Sequence, residues 1–372
     1  CTITKSGHGL SVGDIVQLAS VTLPGGTGFS ASDFEDKNFQ VITVPTTSTF
    51  TITQSSNASA TVSTGGSLSI KPYEPVGPRA QSYGYGWGIA GWGNGNFGEA
   101  ASASDVTLEP GLWSLDNFGQ VLVATILNGK TFTWNAGAST PLETRASTTT
   151  SGFLTGSNPT ATRVSLISPT TRHLIHLGTE TTIGDTTTQD DMFIRFSDQE
   201  DINTYTPSAI NTAGTLRLQD GTKIIGALKA KEVILVWTDN ALYTMTFIGA
   251  PFTFRLDQVG TNCGLIGQNA VIEIDGSAFW LSSKGFFLYD GTVKSIPCSV
   301  EDFVYDNFDT TKGQQVAAGL NNLFTEITWY YPSSGSDYND KYVVFNYGES
   351  AGVPGGVWYT GTEARTSWID SN

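Results

Sequence analysis

The 372-residue sequence predicts an all-β chain, with a small antiparallel β-barrel or sandwich ahead of a β-propeller-like repeat domain. Three observations predict it. Runs of Val, Ile, Thr and aromatic residues are broken by Gly, Asn and Asp, the pattern of strands and tight turns. No long stretch repeats apolar residues at the helical period. From about residue 105, a unit of strand, polar turn and aromatic-rich strand recurs five times.

The first domain is expected over residues 1–70. Residues 2–6 read as a strand and Gly7-His8-Gly9 as a turn. Val12-Gly13-Asp14 leads into a strand at Ile15-Val16-Gln17-Leu18, and a polar loop with Pro24-Gly25-Gly26 follows. Residues 39–44 and 49–53 alternate apolar and polar side chains and pair as a hairpin across residues 45–48. Thr61-Val62-Ser63 and Ser67-Leu68-Ser69-Ile70 add two short strands.

Residues 71–104 are first Pro-rich, then alternate glycine with the aromatics Tyr83, Tyr85, Trp87, Trp92 and Phe97. Glycine allows tight turns, and each ring can fill a pocket. The segment reads either as a loop packing its own rings or as a docking loop that inserts into a neighbouring subunit. Those five aromatics are the first candidates for a subunit or partner contact.

Residues 105–372 carry the repeat. Its hairpins span 121–134, 173–196, 233–247, 278–289 and 325–345. Their second strands begin at Thr131, Met192, Leu242, Phe286 and Lys341, intervals of 61, 50, 44 and 55 residues. Propeller blades recur at roughly 40–50 residues, so the spacing fits blades with loop insertions. A blade is covered on both faces, which accounts for runs such as Val233-Ile234-Leu235-Val236-Trp237. A jelly roll or stacked sandwiches would give similar hairpins without the period. Five repeats show no ring closure, and the sequence begins and ends within strand-like patterns, so a longer natural protein with further blades or a closing strand is expected.

Composition narrows the function. Nine Trp and 11% aromatic residues can build a core, which disordered chains cannot. A net charge of −15 disfavours sequence-specific nucleic-acid binding, which needs clustered Lys and Arg. It is compatible with a channel that DNA slides through. Three cysteines, Cys1, Cys263 and Cys298, make no disulfide framework or zinc motif; buried free thiols are expected, with a Cys263–Cys298 bridge as the alternative. No signal peptide, membrane-spanning run or lipidation motif is recognised.

Catalytic signatures are not found. The Ser elbow, P-loop and His-Glu-x-x-His patterns do not occur. His173 and His176 are three apart on an expected strand and face opposite ways, so they do not chelate one metal; His8 lies in a turn. Cys263 has no local base. The carboxylate pairs Asp190-Asp191, Glu200-Asp201 and Glu301-Asp302 have the residue types of a glycosidase, yet adjacent loop carboxylates are ordinarily solvated or cap hairpins. Asp14, Asp239 and Asp290 read as turn formers. A calcium loop over residues 184–191 is the one cation alternative. No catalytic, cofactor-binding or metal residue is assigned, and no cofactor is expected.

Two stretches are familiar. Ser6-Gly7-His8-Gly9-Leu10-Ser11-Val12-Gly13-Asp14, Asn38-Phe39-Gln40-Val41 and Ser48-Thr49-Phe50-Thr51-Ile52 resemble a small β-domain of phage and prophage structural proteins. The Gly/Trp-rich loop followed by Gly111-Leu112-Trp113-Ser114-Leu115-Asp116-Asn117-Phe118-Gly119-Gln120 resembles a phage tail pattern, as does the segment 259–291 with Phe279-Trp280-Leu281-Ser282-Ser283-Lys284-Gly285-Phe286-Phe287-Leu288-Tyr289. The family resembled is the tail nozzle, or tail tubular protein B, of short-tailed phages; a sister tail hub or tail-knob protein is also compatible. The resemblance covers about half the chain. It implies a non-enzymatic virion tail protein, a homo-oligomer expected to be a hexamer, with tail adaptor and tail fibre proteins as partners. Double-stranded DNA would pass non-specifically through its channel, without membrane insertion. The alternatives are an extracellular propeller that binds or cleaves polysaccharide and a bacterial surface adhesion module.

Overall fold

The computed structural model describes residues 1–6, 8, 10, 12, 14–62, 66–73, 111–135, 158–231, 233–249 and 251–368. They divide between two compact units, Cys1–Val76 with Phe132–Gly156, and Gly77–Thr131 with Ser157–Asn372.

The first unit is built on strands β1 (Thr2–Thr4), β2 (Ile15–Thr22), β3 (Asn38–Thr46), β4 (Thr49–Ile52) and β5 (Ser67–Tyr73), ordered β1-β4-β3-β2-β5 and antiparallel throughout. The start of β3 pairs with β2 and the rest with β4, so the sheet bends around its core. Alternation supplies that core: Val16, Leu18, Phe39, Val41, Phe50 and Ile52 point inward between partly or fully exposed neighbours. Pro45 sits within β3, where the ladder shifts between Thr43 and Thr46; a proline cannot donate to a ladder and is tolerated at such an irregularity. Thr61 and Val62, expected in a strand, belong to none, and Ser63 lies outside the described residues. Val62 is the lone large apolar group of that stretch and stays exposed, so pairing there would bury almost nothing.

The second unit is propeller-like. A hairpin of β6 (Trp113–Phe118) and β7 (Val121–Ile126) opens it, and β8 begins at Thr131 (Thr131–Asn135). Four four-stranded antiparallel meanders follow, which we number as blades two to five. Blade two is β9 (Thr162–Ile167), β10 (Leu174–Thr179), β11 (Phe193–Phe196) and β12 (Gly214–Arg217). Blade three is β13 (Ile224–Lys229), β14 (Ile234–Thr238), β15 (Ala241–Gly249) and β16 (Thr253–Thr261). Blade four is β17 (Val271–Ile274), β18 (Ser277–Ser282), β19 (Gly285–Tyr289) and β20 (Val293–Ile296). A short helix α1 (Glu301–Tyr305) leads to blade five: β21 (Ala317–Asn321), β22 (Glu326–Tyr331), β23 (Lys341–Asn346) and β24 (Val357–Thr362).

The leading strands β9, β13, β17 and β21 lie side by side in chain order, the arrangement of inner strands around a propeller axis. One apolar cluster joins blades two and three, and a second joins blades three, four and five. Trp237, Trp280 and Trp329 each occupy the fourth position of a blade's second strand and are fully buried. Trp280 Nε1 donates to the Cys263 carbonyl (2.8 Å) and Trp329 Nε1 to the Ala270 carbonyl (3.0 Å), both in segments that link neighbouring blades. Those links are tight enough to require glycine: a Cβ on Gly264 would overlap the Asp239 peptide, and one on Gly267 the Gly313 carbonyl. Among the described residues, no helix is long and apolar enough to cross a membrane.

Candidate functional site

The predicted contact residues Tyr83, Tyr85, Trp87, Trp92 and Phe97 lie outside the described residues. Among the described residues, two features stand out: a buried polar seam in blade two, and exposed apolar groups at the end of the β-ribbon of blade three.

The seam exists because β9 and β10 are buried along their whole length yet carry polar residues, each of which needs a partner. Arg163 on β9 is 2% exposed; its Nε donates to the Ile224 carbonyl of blade three (2.7 Å), and it pairs with Asp191 (3.4 Å). Its aliphatic stem lies against Gly178, whose φ of +66° and missing Cβ make the room. His176 is fully buried, with Nε2 3.0 Å from the Tyr205 hydroxyl and Nδ1 3.2 Å from Thr162 Oγ1. Burial, reinforced by the Arg195 guanidinium, pushes His176 down to about 3. Arg195 donates to the carbonyls of Glu180 and Thr181 (3.2 and 2.8 Å). The buried Glu180 carboxylate accepts from the Gly184 amide (2.6 Å) and from Thr160.

His173, just ahead of β10, contacts Thr171 and Thr212 (2.7 and 3.0 Å). Burial lowers it to about 4, partly offset by Asp198. The two histidines have separate partner sets, and no group of three metal-ligating side chains occurs among the described residues. Neutral, buried and hydrogen-bonded, both are suited to holding a sheet together.

The carboxylate pairs are split by their partners. Asp190 holds Arg217 (2.6 Å); burial works to raise its pKa, but the hydrogen bonds and charge of Arg217 outweigh that and lower it. Asp191 turns instead to Arg163. Glu200 pairs with Arg172 (3.3 Å), while Asp201 accepts from the Asn203 amide and the Thr204 hydroxyl (2.8 and 2.7 Å). Glu301 and Asp302 sit in the first turn of α1. In the loop weighed for calcium, Asp185 accepts from the amide and hydroxyl of Thr187 (3.1 and 2.6 Å), capping a single 3-10 turn. Asp239 and Asp290 are turn-bound, by Thr222 and by Lys294 with Thr292.

The three cysteines are free: Cys1 is exposed, Cys263 buried and Cys298 half-buried. Burial raises the Cys263 thiol and pushes Cys298 up to about 11, which leaves little thiolate at neutral pH.

Sequence patterning passed over one exposed feature. The β15–β16 ribbon runs beyond the end of its neighbour β14, and its tip carries Ile248 and Phe252, 47% and 75% exposed. The adjoining loop is tied to it by a hydrogen bond from Thr253 Oγ1 to the Thr212 carbonyl and carries the fully exposed Ile210. The legible signal was Phe247-Ile248-Gly249-Ala250-Pro251-Phe252, an apolar run at a turn, where polar residues are the rule.

No family model and no curated protein matches this sequence. Solved structures similar to it include BamB from Moraxella catarrhalis, 14% identical over 67% of this chain and 60% of that one, with a TM-score of 0.36. Sqt1 from Saccharomyces cerevisiae is 10% identical over 68% of this chain and 62% of that one, with a TM-score of 0.40. The endosialidase of phage phi92 is 16% identical over 75% of this chain and 43% of that one, with a TM-score of 0.26. The chain thus spans about three fifths of the length of BamB and Sqt1.

Proposed function

We propose that this chain is a non-enzymatic structural protein of a virion tail, a component of the nozzle through which a short-tailed phage ejects its genome. Six copies form a ring, adaptor and fibre proteins attach to it, and DNA slides through the central hole past acidic walls. One observation supports the reading most: the described polar side chains are engaged in structure, the buried histidines and Asp190 within blade two, Arg163 from blade two to blade three, and Trp280 and Trp329 to the segments that link blades. The resemblance of residues 6–53, 83–135 and 259–291 to tail proteins supplies the context, and a net charge of −15 disfavours tight phosphate binding.

The test is to image the purified full chain and measure its assembled mass. A symmetric ring with a central hole is expected. A monomer that releases oligosaccharides from a polysaccharide would overturn the proposal.

A further inference from the structure

Blade five has two unlike faces. One carries Ile327, Trp329, Val343, Phe345 and Trp358 into the core shared with blade four. The strand registers place Tyr330 and Tyr342 side by side on the other face, then Thr328, Val344 and Tyr359 in the next row, then Glu326.

Two flat rings are laid on this outer face. A Cβ on Gly319 would fall 2.5 to 2.7 Å from Trp368 Cδ1, Cγ and Cβ, so the indole lies directly on β21 where a side chain is missing. Its Nε1 donates to the Leu320 carbonyl (3.0 Å), and it stacks beside Tyr330 with centroids 6.2 Å apart and planes 28° apart. The indole is thus fixed in orientation while 41% exposed. Tyr342 lies in the same way across Gly361 on β24. The Tyr359 hydroxyl reaches diagonally over the sheet and donates to the Glu326 carboxylate, which also accepts from Asn321 Nδ2 (3.3 Å). Tyr359 is 40% exposed.

We infer that this face is a binding platform for a neutral polysaccharide. A pyranose ring presents an apolar C–H face and an equatorial rim of hydroxyls. It needs a flat aromatic surface for the first and fixed acceptors for the second, and Trp368 and Glu326 supply these on one rigid sheet. Because the indole and the carboxylate are already held in place, little ordering opposes binding. An anionic sugar is disfavoured by Glu326 and by Glu349 and Glu363 near Tyr359 and Tyr330, since Arg365, the cation that acts on Tyr330, is paired with Glu363. A protein partner is disfavoured because interface centres are depleted of charge, whereas a carboxylate stands on this surface. The inference is independent of the tail role.

The experiment is affinity electrophoresis of the full chain through gels containing dextran, laminarin, mannan or galactomannan, with heparin as the anionic comparison. Retardation is expected in at least one neutral gel and not in heparin. W368A should weaken it about tenfold, the scale of one aromatic stacking contact. Y359F, which removes one oxygen and keeps the ring, should weaken it less and guards against a folding defect in W368A. Migration unaffected by all four neutral polysaccharides would overturn the inference. So would equal retardation of W368A and wild type, or a W368A effect on oligomer size in place of retardation.

Discussion

Arg163 shows how one side chain can fasten two blades. It is buried on β9, yet donates to the backbone of β13 and pairs with Asp191. Replacing it with Met keeps most of the stem and leaves the Ile224 carbonyl without this donor. The expected cost is about 2–4 kcal/mol, read from chemical denaturation, because a buried acceptor is stranded and a charge pair lost. A change under about 0.5 kcal/mol would mean that water replaces the guanidinium at no cost. The histidines of the same blade set a pH dependence. Their folded pKa values, about 3 and 4, lie below the ordinary 6.5. The unfolded chain therefore takes up protons that the folded chain refuses, so stability is whole above about pH 6.5 and is lost as pH falls. Each histidine contributes a slope of up to about 1.4 kcal/mol per pH unit in that window. Melting followed between about pH 7 and 5 should show the loss, and H176N should roughly halve the slope. The partnered aspartates act lower, around and below their ordinary 3.8.

At the scale of the strand, burial decides what a sequence reveals. The five expected hairpins fall at β7 with β8, β10 with β11, β14 with β15, β18 with β19, and β22 with β23. In blades two to five these are the two middle strands, buried over most of their length and so rich in apolar and aromatic residues. The flanking strands are half-exposed; Val271-Ile272-Glu273-Ile274 and Val293-Lys294-Ser295-Ile296 carry too little contrast to stand out. β9 hid for the opposite reason, since Thr162, Arg163 and Ser165 look like surface residues and are buried. The outer face of blade five was equally illegible, because Trp368 and Gly319 lie far apart in sequence and are joined only by the fold. The tryptophan repeat offers a test at this scale. Trp237 Nε1 is buried and has no hydrogen-bond acceptor among the described residues, whereas Trp280 Nε1 has one. W280F should therefore destabilise by about 1 kcal/mol more than W237F in denaturant titrations. On the β15–β16 ribbon, F252S should leave unfolding free energy within about 0.5 kcal/mol of wild type, since that ring is exposed.

Across the second unit, the leading strands meet in order and two apolar clusters run through successive blades, so each blade depends on its neighbours for a covered face. Thermal unfolding of this unit should be a single transition by fluorescence and by circular dichroism. Separate steps would show that blades unfold independently. The tryptophan positions also give the chain an optical property. Trp237 and Trp280 belong to adjacent blades, with ring centroids 5.4 Å apart and planes 67° apart. Two indoles so close and so inclined share their electronic excitation and yield a split dichroic band that neither produces alone. That band would vanish when two sheets part even if each kept its hydrogen bonds, making it a native spectroscopic gauge of docking between blades.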